Sequence, residues 1–124
     1  MMPHLVLDGK VDVEALLERM PREVRRWGPA VLKTEELWRR SDGRALLVEG
    51  VVVEHTRPLH PIAVVAEHRG NTRVSLWRHC PVERTPAVQR WLATVAGDVL
   101  ALSGGTLRAT NIARDLLEDL GLSS

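Results

Sequence analysis

Residues 45–79, ALLVEGVVVEHTRPLHPIAVVAEHRGNTRVSLWRH, decide the fold class. Ala45 to Thr56 and Ile62 to His68 are dense in Val and Leu, and Thr72 to His79 alternates Val74, Leu76 and Arg78 with Arg73, Ser75 and Trp77, the pattern of three strands. Gly70-Asn71 reads as a two-residue hairpin turn, which sets Ala66 opposite Ser75, Val65 opposite Leu76, Val64 opposite Trp77 and Ile62 opposite His79. Arg57 to Pro61, with two prolines that cannot donate to a ladder, reads as the other connection; a loop over 57–60 puts His55 beside Ile62. One face of this meander then carries Val51, Val53, Ile62, Val64, Ala66 and Trp77, and the other Val52, Val65, Val74 and Leu76. Both faces are apolar, so helices covering one side only leave the second open to a partner.

Outward from the meander, Thr85-Pro86 starts a helix, with a hydroxyl to cap it and proline where no hydrogen bond is lost. Val88, Trp91, Leu92, Val95, Ala96, Val99 and Leu100 form its apolar stripe, and Ser103-Gly104-Gly105 ends it. A last helix is expected from about Leu107, carrying Ile112, Ala113, Leu116, Leu117 and Leu120 and closing at Gly121. Upstream, Leu5-Val6-Leu7 is a short strand or arm that joins an edge, and Asp12 caps a helix running to about Met20. Pro21 to Trp27 has helical composition, broken at Gly28-Pro29. Thr34 to Arg40 reads as helix, acidic residues first and basic last as the helix dipole favours. Its rival is a strand through Trp38 that turns at Asp42-Gly43, so residues 34–41 stay open between helix and strand. The expected fold is α+β: N-terminal helices, a three-stranded antiparallel meander and two C-terminal helices packed on the sheet, in a single domain over 1–124.

Composition narrows the function classes. The chain of 124 residues is 44% hydrophobic and 27% charged, which excludes a disordered chain, and its apolar runs are too short to span a bilayer. Net charge is +1, so no global field points to nucleic acid or an anionic membrane. The basic excess is local: residues 19–44 carry a net +4 against −3 in residues 1–18. Arginine outnumbers lysine 15 to 2, a ratio expected from a GC-rich coding bias ahead of bidentate anion recognition. A lone cysteine, Cys80, allows no internal disulfide, and Met1-Met2-Pro3-His4 lacks the features of an export signal; a cytoplasmic location is expected.

Four groups of residues carry possible chemistry. His55, His60, His79 and Cys80 fall at one end of the expected sheet, where they are candidates for a metal, a ligand or hydrolysis, although His79 and Cys80 point to opposite faces of a regular strand and no close ligand pair such as Cys-x-x-Cys is present. Arg22, Arg25, Arg26, Arg39 and Arg40, beside Trp27 and Trp38, are the candidate anion or nucleic-acid patch, making a weak nucleic-acid binder through 22–40 one reading. Ser103-Gly104-Gly105-Thr106 has the look of an anion-binding turn without the Lys of a phosphate loop, and Glu49 and His68 are a remote acid–base pair. No coherent catalytic set emerges, and no cofactor is expected. The leading expectation is a non-catalytic module that self-associates, as a dimer, or binds a protein or small ligand through the second apolar sheet face. Trp77 and Trp91 are expected in the core, Trp27 and Trp38 at a binding surface.

Overall fold

The computed structural model describes residues 2–122, which form one antiparallel sheet of eight strands curled over its helices. The strands are β1 (His4–Leu7), β2 (Val24–Trp27), β3 (Ala30–Arg39), β4 (Ala45–Glu54), β5 (Arg57–Leu59), β6 (Ile62–His68), β7 (Asn71–Leu76) and β8 (Leu107–Thr110). Helix α1 (Val13–Arg19) connects β1 to β2, and α2 (Pro86–Ser103) connects β7 to β8, with a 3-10 turn following at Arg114–Leu116. Across the sheet the order is β2-β3-β4-β6-β7-β1-β8, with β5 also paired to β4.

This overturns the expected architecture at both ends. The three-stranded meander is the middle of a much wider sheet, and the N-terminal helices beyond α1 are strands. Trp27 faces Ala30 across Gly28-Pro29, and Arg39 faces Leu46 across the Asp42-Gly43 turn. Helical composition in residues 21–27 and 34–40 yields to pairing, because β3 pairs with β2 along one side and with β4 along the other, contacts that no isolated short helix can match. The second C-terminal helix is absent among the described residues: Leu107–Thr110 pairs with β1, which is thereby an interior strand rather than an edge. Thr110 Oγ1 donates to His4 O, and Asn111 accepts from His4 N while donating to Met2 O, so these side chains fasten the end of the chain to its beginning.

Two registers also change. The second hairpin turns at Arg69-Gly70, both at positive φ (52° and 83°), not at Gly70-Asn71. That places Val64 opposite Ser75 and Val65 opposite Val74, two residues from expectation. An even shift leaves every side chain on its expected face. The first hairpin turns at His55-Thr56 (φ 50° and 64°), so residues 57–60 are not a loop: Arg57–Leu59 runs beside β4 and the same register continues to Glu49 opposite Ile62. The ladder is interrupted only where Pro61 lacks a donor; Gly50 N still donates to Pro61 O at 2.9 Å. By antiparallel alternation Pro58, opposite Val53, then turns its nitrogen to the open side, where it costs no bond.

Both helix starts lie where the sequence puts them. Asp12 accepts from Glu14 N and Ala15 N to cap α1, and Thr85 accepts from Val88 N to cap α2, which ends at Gly104 with φ 73°. The core lies between α2 and one sheet face, where Leu5, Leu32, Leu46, Val48, Val52, Val65 and Val74 meet Val88, Trp91, Leu92, Val95 and Val99, all essentially inaccessible to water. Trp91 lies flat on the β4 backbone at Gly50, where a Cβ would come within 2.3 Å of its ring. Arg25 reaches over from β2 to Asp98 on α2 through two hydrogen bonds of 2.9 and 2.8 Å, tying the edge strand to the helix. Arg90 donates to the carbonyls of Leu116 and Glu118 and stacks over Trp27 at 5.8 Å, tying the C-terminal turn to the same layer. α1 also packs on this side, against β3, β4 and α2.

Candidate functional site: the outer face of the sheet

Strand alternation turns every second residue of the sheet away from α2. In β4 these are Leu47, Glu49, Val51 and Val53; in β6 they are Ile62, Val64 and Ala66. The strand register joins them into lateral rows. One row runs Trp38, Leu47, Val64, Ser75, His4, and the next runs Ala45, Ala66, Arg73, Val6. No described helix lies on this face, and Leu47, Val51, Val53, Ile62, Val64 and Ala66 are half-exposed, whereas Ala45 and the inner neighbours are sealed. At its β2–β3 margin Val24 and Trp38 are 61% and 55% exposed, the large apolar residues most open to water. This is the second apolar face expected from the meander, now wider by the strands misread as helices.

A bulge shapes it. Between Thr34 and Leu37 the β3–β4 register slips, so Glu35 and Glu36 together oppose Glu49. Like charges so placed repel, and each has a local counterweight: Trp38 Nε1 donates to Glu49, Lys33 lies 3.8 Å from Glu35, and Arg22 lies 3.8 Å from Glu36. Beside the bulge opens a notch of about 240 Å³ walled by Glu35, Glu49, Val51, His60, Ile62 and Cys80.

The sequence-selected residues separate on the structure. His60 and Cys80 meet at this notch, the Cys80 thiol 3.8 Å from His60 O. His55 sits apart at the tip of the β4–β5 turn. His79 packs edge-on to Trp77, ring centroids 5.4 Å apart, and accepts from Arg78 Nε at 3.3 Å. Among the described residues no three His, Cys, Asp or Glu side chains gather as metal ligands. Glu49 and His68 are likewise separated, opposite Ile62 and Asn71 respectively.

The arginines of 22–40 are committed to carboxylates. Arg25 binds Asp98 inside the fold, Arg22 pairs with Glu36, Arg39 with Glu14, and Arg40 with Asp42 by hydrogen bonds of 2.9 and 2.6 Å. Arg26 alone of the five has no such partner among the described residues. The Asp98 carboxyl is held above its ordinary range by burial, which outweighs the opposing pull of Arg25, while the same pair raises Arg25. At the Gly104-Gly105 turn an anion is already in place: Asp8 accepts from Thr106 Oγ1 at 2.6 Å and from Arg108 at 3.0 Å, and these bonds lower its pKa.

Of the four tryptophans, Trp91 is in the core, Trp27 is half-buried against Arg90, and Trp77 and Trp38 lie on or beside the outer face. Trp77, expected in the core, lies instead with Ile62 and Val64 on the outward side, and Trp27, expected at a binding surface, is half-buried against Arg90. A larger hollow of about 660 Å³ lies between β8 and the C-terminal turn, with Leu107, Ile112, Leu117 and Leu122 in its wall. No described helix is long and apolar enough to cross a membrane. The chain matches no family model, no curated protein and no solved structure.

Proposed function

We propose that this chain is a non-catalytic binding module and that the outer face of its sheet is the surface that docks a protein. One observation carries the reading: the row Trp38, Leu47, Val64 runs apolar across three adjacent strands on the face opposite both helices. The outward side of a sheet curled over its helices offers no concavity of the kind a small molecule needs to be enclosed, so it suits a protein surface instead. The notch beside Glu49 is too small for such enclosure, at about 240 Å³.

The test combines an apolar fluorescent dye, anilinonaphthalene sulfonate, with sedimentation of the native protein. An open docking face binds the dye, and a covered one shows as a mass above the 13.8 kDa of one chain. Either result supports the reading, provided Leu47→Glu abolishes it while the circular dichroism spectrum is retained. A protein that sediments as a monomer and leaves the dye dark overturns it.

A further inference from the structure

We infer that the occupant of the outer face is a second copy of this chain, packed sheet against sheet about a twofold axis at Val64. This rests on the docking reading above and adds the partner and its register. An isologous contact demands that the face complement itself, each group finding its counterpart across the axis. The outer face meets that demand through Glu49 and Arg73.

Glu49 lies on β4 in the row of Ile62, and Arg73 lies on β7 in the row of Ala66. The two are about 10 Å apart across the sheet and about 13 Å along it, too far to meet within one chain. Between them stands Val64, on the intervening strand and in the intervening row. A twofold axis lying in the contact plane through Val64 exchanges the two positions, so each Glu49 meets the Arg73 of the other copy. Both groups have capacity to spare: among the described residues the Arg73 side chain makes no ion pair or hydrogen bond, and Glu49 accepts only from the Trp38 indole. The centre of such a contact is Val64, Leu47 and Ile62, which gives an apolar core with charge pairs toward its rim, the usual anatomy of a stable interface. The five strands β3, β4, β6, β7 and β1 contribute 10, 10, 7, 6 and 4 residues, an outline of about 600 Å², somewhat below the ~800 Å² of accessible surface that each partner contributes to a standard dimer.

Sedimentation equilibrium at micromolar concentration tests the contact. The wild type is expected at twice 13.8 kDa. Val64→Glu should make it monomeric. Glu49→Arg and Arg73→Glu should each weaken the dimer by at least about tenfold, and the two together should restore most of it, since exchanging the charges preserves the pair. Rescue by the double variant also shows that the single variants fold. A wild type that is monomeric yet binds the dye overturns this inference and leaves the docking reading standing; a monomer that does not bind the dye overturns both. A dimer insensitive to all three substitutions also overturns it, because the copies would then join elsewhere, as at the free edge of β2 or β8.

Discussion

Strand β4 carries the same kinds of side chain on its two faces and uses them differently. Toward α2 it presents Leu46, Val48, Gly50 and Val52, all at zero or near-zero exposure; away from α2 it presents Leu47, Glu49, Val51 and Val53, all half-open. Hydrophobicity therefore does not distinguish core from contact surface in this molecule. What distinguishes them is fit: the inner face is carved to receive a particular side chain, with Gly50 vacating the space that Trp91 fills, while no described helix seats a side chain on the outer face.

The largest effect should come from testing that difference with one residue type. Trp91→Ala removes an indole that is 1% exposed and should cost about 4 kcal/mol in urea unfolding. Trp38→Ala, on the other face, should change monomer stability by no more than about 0.5 kcal/mol. Similar losses from both would erase the distinction between the faces. Gly50→Ala comes next. Its new methyl must displace the Trp91 ring or the β4 backbone, an overpacking that should cost about 3 kcal/mol, against about 1 kcal/mol or less for Val51→Ala one residue away. A near-neutral Gly50→Ala would mean that the indole does not rest on this backbone.

A smaller effect separates the two kinds of arginine contact. Asp98→Ala strands Arg25, whose side chain is 29% exposed, and should cost about 2 kcal/mol, since water reaches the guanidinium in part. Asp98→Asn should also alter the acid limb. Because burial raises the native carboxyl above its unfolded value, the wild type gains stability from this group as pH falls through the raised value, down to the unfolded one. The Asn variant should lack that gain.

The two faces also explain how far the sequence could be read. Parity survives errors of register, so Val51, Val53, Ile62 and Val64 were legible as one face even though both hairpin turns were misplaced. Capping was legible because it is local: Asp12, Thr85 and Gly104 act on backbone groups within a few residues. The outer strands were not, because their identity depends on partners distant in sequence. Glu35, Glu36, Leu37, Arg39 and Arg40 are helix-favouring residues held extended by pairing with β4, and Leu107 to Thr110 is a strand only because β1, a hundred residues earlier, accepts it. The turn at His55-Thr56 had no readable signal, since a β-branched residue at φ 64° runs against local preference. The Glu49–Arg73 relation was equally hidden, because it exists only once β4, β6 and β7 are in register.

The Asp42-Gly43 turn was the readable clue that was outweighed, and it supports the smallest prediction. Asp42 accepts from Arg40 Nε and from Arg44 N, each at 2.9 Å, and from Arg40 Nη2 at 2.6 Å, binding the last residues of β3 to the first of β4. These bonds lower its pKa from 3.8 to about 2, the Arg40 bonds contributing most. A carboxyl depressed in the folded state adds stability above its unfolded pKa and loses it as pH falls through the folded value. The wild type should therefore lose a small increment between about pH 4 and pH 2, opposite in sign to the Asp98 effect, and Asp42→Asn should flatten it. Chemical denaturation from near neutral pH down to about pH 2, with the two variants measured side by side, should show Asp98→Asn removing a gain above about pH 4 and Asp42→Asn removing a loss below it. Slopes that move together would show that the buried and the exposed carboxylate feel the same environment.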